Sequence, residues 1–225
     1  MEKRESRKDT EQQSSLYLNE VVQKKYYDAI KRYIDILGSL IGIIVLAPIF
    51  LIVIILIKIE NMNSSVFFKQ IRIGEKGQPF VMYKFRSMVA NAEDLLEGLR
   101  DQNETTGAMF KIRNDPRITR VGKFIRKTSI DELPQLINVL RGNMSLVGPR
   151  PPLVEEVKQY SPYHKQRLLV KPGCTGLWQV SGRSNIGFEE MVDLDLKYIK
   201  NRNILYDLSI ILKTFRVVFG SKDAF

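Results

Sequence analysis

An uninterrupted apolar run, Ile36 to Ile57, constrains this chain most: it contains no charged residue. Roughly 20 such residues suffice for a helix across a bilayer core, so lipid or protein has to shield the segment from water. It begins too far from the N-terminus for a cleavable signal peptide, and no small-residue cleavage site follows. Gly38, Gly42 and Pro48 lie inside it. Proline has no backbone donor, so Pro48 leaves the Ile44 carbonyl without its helical partner. Its ring also disfavours helical dihedrals at Ala47. Two shapes remain open. A spanning helix can tolerate the proline, and a helix broken at Ala47 and Pro48 can leave by the face it entered. Lys24, Lys25, Lys31 and Arg32 precede the run, and Lys58, Lys69, Arg72 and Lys76 follow it. This balance gives the positive-inside rule no direction, and a hairpin would keep all eight cations on one side.

The remaining chain bounds the rest. A length of 225 residues leaves room for one globular domain beside the apolar segment. With 44% hydrophobic and 27% charged residues, the protein is neither disordered nor a polytopic membrane protein. The net charge of +10 is uneven, since residues 58–150 carry 16 basic against 10 acidic side chains. That excess favours a polyanionic partner, whether nucleic acid, anionic lipid or a phosphorylated substrate. Cys174 is the sole cysteine, so no intramolecular disulfide can form, as suits a reducing compartment. With one histidine, His164, the ligands for a zinc site are too few.

Periodicity predicts a mostly helical α+β fold. Residues 16–33 read as an amphipathic, tyrosine-rich helix, lying on a membrane or on protein. Residues 66–73 and 79–85 alternate as strands, and Gly74 to Gly77 suit a hairpin turn. Helices are expected over 90–100, 153–168, 188–201 and 204–219, the last serving as core or as a second membrane-surface helix. Residues 103–109 read as a loop, and 171–183 as turns with one short strand. A helix also follows Ser129: Leu133, Leu136, Ile137 and Leu140 share one face, Ser129 and Glu132 fit a capping box, and Gly142 fits the stop. Pro134 leaves a second version open, in which it starts the helix and Asp131 and Glu132 lie just ahead of it.

Asp131 and Glu132 are the chemical centre of the sequence. Adjacent acids at a helix start most often only complement its dipole. Here residues 111–127 precede them with seven basic side chains and one acid, Asp115, which predicts that both carboxylates stay ionised. Such a pair can hold a metal ion, and one member can attack phosphorus. Arg150, between Pro149 and Pro151, is a stiff presentation of a flat donor fork suited to phosphate oxygens. Lys84 and Arg86 alternate with Tyr83 and Phe85, which is also ordinary half-buried strand patterning. No glycine-rich phosphate loop and no Gly-x-Ser-x-Gly elbow is present, which excludes the common nucleotide-loop folds and serine hydrolases.

Eight stretches carry a resemblance: Lys31 to Asp35, the apolar run with Pro48, Phe67 to Gln70, Tyr83 to Met88, Arg117 to Arg126, Asp131 to Leu140, Met144 to Pro151 and Lys171 to Val180. In order and spacing, over about residues 26–219, the chain resembles the bacterial sugar transferases, small monotopic phosphoglycosyl transferases acting on polyprenol phosphate. The family often has Ser-Pro at the break of its membrane helix, where this chain has Ala47-Pro48. The resemblance implies that Asp131 attacks the β-phosphate of a UDP-sugar and expels UMP. Undecaprenyl phosphate then takes the sugar phosphate from the aspartate. It implies Mg²⁺ held with the help of Glu132, and Lys84, Arg126 and Arg150 at the phosphates. Galactose or glucose 1-phosphate would be the transferred group.

The expected organisation is a polar tail and the start of a surface helix (1–25), a re-entrant membrane anchor (26–60) and a cytosolic catalytic domain (61–225). The expected setting is the cytoplasmic face of a bacterial membrane, where exopolysaccharide or capsule repeat-unit assembly starts. Expected partners are UDP-sugar, undecaprenyl phosphate and membrane lipid, with no nucleic acid; a homo-oligomer stays open. A basic membrane-tethered binder is the rival class. It accounts for the charge and the anchor but not for an acidic pair within the basic region.

Overall fold

A computed structural model describes residues 24–95, 97–102, 112, 115–182 and 186–220. One long helix, α1 (Lys25–Glu60), runs from the basic flank through the whole apolar segment. It stays helical through Ala47 and Pro48, so the break expected there is not seen as an interruption of the helix. Its first turns are the second half of the helix expected over 16–33; residues 16–23 and the tail before them lie outside the described residues.

α1 is two-faced. Asp35, Ser39, Val53 and Ile57 are buried against the rest of the protein, and Gly42 sits on Leu136. The opposite face, with Leu40, Ile41, Ile44, Val45, Leu51 and Ile55, is exposed. An apolar face this long marks a membrane or partner surface. α1 alone among the described helices is long and apolar enough to cross a membrane.

Both ends of α1 are tied to one body. Near the start, Arg32 donates to the carbonyl oxygens of Val139 (2.6 Å) and Leu140 (2.8 Å). Asp35 accepts from Ser145 Oγ (3.0 Å) and Leu146 N (2.9 Å). Lys31 pairs with Asp207 at 2.7 Å. At the far end, Glu60 Oε1 accepts from the backbone N–H groups of Arg120 (2.8 Å) and Val121 (3.3 Å). It thereby caps α2 (Arg120–Lys127).

The hairpin is as expected: β1 (Phe67–Ile73) pairs antiparallel with β2 (Pro79–Phe85), Phe68 opposite Lys84 and Arg72 opposite Phe80. Side chains two apart share a face of a strand, so Gln70 and Arg72 lie on the face that carries Lys84. Phe85, on the other face, packs with Val53, Ile57 and Ile125, so the end of α1 is part of the core. α3 (Gln135–Arg141) docks on the edge of β2. There Asn138 Oδ1 accepts from Tyr83 N (3.0 Å), and its Nδ2 donates to Val81 O (2.6 Å), as a neighbouring strand would. Gly142 ends α3 with φ of +83°, a dihedral that glycine alone adopts freely.

β3 (Ser145–Val147) then pairs in parallel with β4 (Gly173–Thr175). Between them lie α4 (Val154–Lys158) and α5 (Pro162–Lys165), and after them α6 (Leu177–Ser181), α7 (Phe188–Asn201) and α8 (Ile204–Gly220). Val147, Leu177, Tyr198, Ile199 and Ile210 form the core of this half. α8 contributes to the core and also keeps an exposed apolar face. Ile210 is core, while Leu205, Leu208, Leu212 and Phe215 line an exposed stripe.

Three local expectations fail. Residues 90–95 form a turn, and Glu97–Gln102 a short 3₁₀ stretch; Ala92 is buried but Leu95 is exposed, and a short helix without a face to bury has little to hold it. The helix expected over 153–168 divides, because Ser161 and Pro162 cap and start a new one. Residues 171–183 contain the helix α6 as well as the strand β4. The loop expected at 103–109 lies outside the described residues.

Candidate active site

Asp131 and Glu132 lie on a 3₁₀ turn, Ile130–Glu132, between α2 and α3. Ser129, before it, has left-handed dihedrals (φ 56°) and makes no capping bond, so the capping box is not formed. Pro134 flanks α3 instead. Its ring cannot continue a hydrogen-bonded helix backward, and the pair is left just ahead of the helix, as in the second version above. A left-handed dihedral is costly for a residue with a Cβ, and here it stands at the start of the turn that carries the acids.

The two acids differ in setting. Asp131 is buried, 8% exposed. Burial, reinforced by the neighbouring Glu132 charge, pushes its carboxyl up to about 6 against the pull of Lys84 and Arg126. Burial acts the same way on Glu132, but the Lys84 ammonium outweighs it, with Arg150 and Arg72 behind, and holds Glu132 below the usual range. Lys84 Nζ lies 2.5 Å from Glu132 Oε1, and the Glu132 side chain keeps 37% exposure. The pair therefore does not titrate as two equally ionised acids.

The surrounding cations do not come from the basic stretch as a block. Arg117 is tied to Asp115 (Nη2 to Oδ2, 2.6 Å) and to the Ala92 carbonyl. Arg120, Lys123 and Lys127 are exposed along α2. Lys111 and Arg113 lie outside the described residues. Of the stretch's described cations, Arg126 turns its charge on Asp131, because helical periodicity directs its neighbours elsewhere. The other cations arrive from separate elements: Lys84 from β2, Arg72 from β1, and Arg150 from the loop after β3.

Arg150 is held in place twice. Its guanidinium meets Glu156, Nη1 to Oε2 at 3.0 Å and Nη2 to Oε1 at 3.3 Å. Its carbonyl accepts from Arg167 Nη2 at 3.3 Å. Arg167 is anchored by the buried Asp195 (Nε to Oδ2, 2.8 Å) and by the Tyr160 hydroxyl (2.6 Å).

Arg72 is the residue that sequence reasoning missed, having counted only as a flanking charge. It is buried, donating to Gln70 Oε1 (2.7 and 3.0 Å) and to the Pro151 carbonyl (3.0 Å). It thereby joins the hairpin to the Arg150 loop. The period-2 alternation of β1 was the available signal, since hairpin pairing sets Gln70 and Arg72 beside Lys84.

The arrangement offers one buried carboxylate, a second paired with lysine, and more cationic than anionic side chains. That is a site for a substrate bearing several negative charges. Among the described residues, no group of three or more His, Cys, Asp and Glu side chains could hold a metal ion. The acid pair supplies two hard-oxygen donors. That suits a cation such as Mg²⁺, which takes one or two carboxylates and completes its shell with water and substrate phosphates. Ala47 and Pro48 are on the exposed middle of α1.

Residues 26–221 match the family model described as bacterial sugar transferase. The chain is 51% identical over 191 residues to the galactosyl transferase CpsE of Streptococcus agalactiae serotype III, covering 84% of this chain and 42% of that protein. It is 42% identical over 200 residues to the undecaprenyl-phosphate galactose phosphotransferase of Salmonella typhimurium, covering 87% and 42%. With the exopolysaccharide production protein ExoY of Rhizobium meliloti it shares 39% over 199 residues, covering 87% and 88%. The chain thus spans less than half the length of the first two. With nearly its whole described length inside that match, the chain belongs to the bacterial sugar transferase family.

Proposed function

We propose that the protein transfers a sugar 1-phosphate from a UDP-sugar to undecaprenyl phosphate, giving an undecaprenyl-diphospho-sugar and UMP. The observation that carries this is the buried Asp131 carboxylate, facing cations from separate elements and left without a bonded side-chain donor among the described residues. One Asp131 oxygen attacks the β-phosphorus. The bond from that phosphorus to the oxygen shared with the α-phosphorus breaks, and UMP leaves with the electron pair. The sugar phosphate stays on the carboxylate as an acyl phosphate, a covalent route open to aspartate. An oxygen of undecaprenyl phosphate attacks the same phosphorus, the acyl-phosphate bond breaks, and Asp131 is restored. Lys84, Arg126 and Arg150 offset the diphosphate charge. Glu132 would hold Mg²⁺, which would supply Lewis-acid charge stabilisation at the diphosphate. The name of the Salmonella relative supports the acceptor and, with that of CpsE, makes galactose the first sugar to try and glucose the second. The name of ExoY supports a start to exopolysaccharide assembly.

The setting proposed is the cytoplasmic face of the membrane, with α1 entering and leaving by that face. Both ends of α1 bind the same body, through Arg32 and Asp35 at one end and Glu60 at the other. A domain on one side of a bilayer cannot hold both ends of a straight spanning helix. The exposed stripe of α8 adds a second apolar surface. At Pro48 the helix lacks one hydrogen bond, which is where its path can bend.

Membranes holding the protein, given UDP-galactose, UDP-glucose and other UDP-sugars, should release UMP with one or a few. Without undecaprenyl phosphate, intact-protein mass spectrometry should show a sugar-phosphate adduct. No UMP from any donor would end the proposal. For the setting, single cysteines at Ala29 and Asn63 in a Cys174→Ser background should both resist an impermeant maleimide until cells are lysed. Labelling of only one before lysis would show a spanning helix.

A further inference from the structure

A cavity of about 440 Å³ opens at the N-terminal end of α2, within the roughly 300–1,000 Å³ of small-ligand sites. Ile57, Met88 and Ile118 give it apolar walls, and Glu60, Asn61 and Thr119 a polar edge, with Arg86 beside them.

Two rails lead from it to the acid pair. On one, Lys84 lies near the end of β2, Arg86 and Met88 follow two apart in the segment beyond the strand, and Lys84 reaches Glu132. On the other, Thr119, Gly122 and Arg126 share one face of α2, and Arg126 acts on Asp131. The rails touch midway. Thr119 N donates to Ser87 O at 3.1 Å, and a Cβ on Gly122 would come within 1.9 Å of that same oxygen. From Thr119 to Arg126 the helix rises about 10 Å, comparable to the span of a nucleoside 5′-diphosphate from its base to its β-phosphorus. The rails also carry unmatched charge. Arg86 uses Nε on the Ser65 carbonyl (2.8 Å). Among the described residues its terminal nitrogens, and the whole Arg126 guanidinium, bond to nothing.

The cavity end is not built for an anion. The Glu60 carboxylate already occupies the first N–H groups of α2, which adds negative charge there. A neutral group bearing hydroxyls fits better: a carboxylate and an amide, Glu60 and Asn61, suit a vicinal diol, and the apolar walls suit a flat base. Resting on the UDP-sugar reading above, we propose that this cavity seats the uridine of the donor. The base lies against Ile57, Met88 and Ile118, and the ribose turns to Glu60 and Asn61. Arg86 meets the α-phosphate on the way to Asp131.

The test uses the full chain in detergent micelles, irradiated with 5-azido-UMP. Label should fall on peptides containing Met88 or Ile118 and vanish with excess UMP. Ile118→Trp, which fills the cavity, should raise the donor KM at least about tenfold, the scale of a lost small-ligand contact, and leave the undecaprenyl phosphate KM within about twofold. Label elsewhere with normal turnover overturns the cavity assignment alone. A raised acceptor KM with an unchanged donor KM gives the cavity to the lipid phosphate instead, and also overturns it. Labelling at Met88 or Ile118 without UMP release from any UDP-sugar would keep the nucleotide site and remove the proposed reaction. Should Ile118→Trp not fold, labelling of the unaltered chain decides.

Discussion

Arg150 stands between two clusters of acids and cations that share ingredients and differ in balance. On its backbone side, Arg167 and Asp195 are almost fully buried and bonded to one another, and Arg167 spends its remaining donors on Tyr160 and the Arg150 carbonyl. On its side-chain side, among the described residues, Asp131 has no bonded side-chain donor and the Arg126 guanidinium makes no hydrogen bond, while Glu132 is partly open. Burial pushes both aspartates up to about 6, so a raised pKa does not tell the two clusters apart; their partners do. An enclosed pair, bonded through Asp195 Oδ2 although Oδ1 has no partner, fixes a loop. An unmatched and partly open one is left able to take up an anion.

Asp131→Asn breaks the comparison hardest. It should cut turnover by on the order of a million-fold, as loss of a covalent nucleophile can, and abolish the adduct. The fold should not suffer. Folding raises the Asp131 pKa from 3.8 to about 6, so stability at this group is greatest below pH 3.8 and is lost as pH rises through about 6. Removing the charge should leave the melting temperature at pH 7 equal or higher. An adduct on this variant would remove Asp131 from the chemistry.

The buried pair should behave in the opposite way. Arg167→Met strands the Asp195 charge and should cost about 3–5 kcal/mol of stability, while the double change with Asp195→Leu should restore much of it. Denaturant melts read both. If Arg167→Met melts like the unaltered protein, the pair does not secure the loop.

Arg150→Lys keeps the charge and loses the fork that spans both Glu156 oxygens. Its expected cost is roughly 1.5–3 kcal/mol in the transition state, about ten- to a hundred-fold in kcat/KM. Near-normal kinetics would take Arg150 out of the site. The smallest effect should be Lys84→Gln on the pH profile. The donor kcat/KM should fall below about pH 6 as Asp131 protonates. Because Lys84 lowers that pKa, its loss should move the acid limb to higher pH. A limb that stays in place would separate Lys84 from Asp131.

Much of this was legible in the residues. Alternation on either side of Gly74 to Gly77 marked the hairpin, and apolar spacing marked α3, α7 and α8, because these signals are local to each segment. The sequence marks Asp131, Glu132, Lys84, Arg126 and Arg150 as candidates, and the fold brings the five together. Arg72 is not marked, since its role depends on the Pro151 carbonyl, 79 residues away. The capping box failed because Pro134 competes with Ser129 for the helix start, and pattern alone does not rank them.

By itself, the sequence determined that an apolar helix had to be covered, that a basic chain carried an acid pair, and where most helices and the hairpin lie. These follow from periodicity, composition and proline chemistry, which act within a few residues. Tertiary structure alone decided which cations face the pair. Arg117 went to Asp115 and Lys123 to solvent, while Lys84, Arg72, Arg126 and Arg150 converged from four elements. It also decided that Asp131 is buried and Glu132 only partly so, and that both ends of α1 meet one domain. Charge interactions and burial depend on distance in space, which the order of residues along the chain does not set.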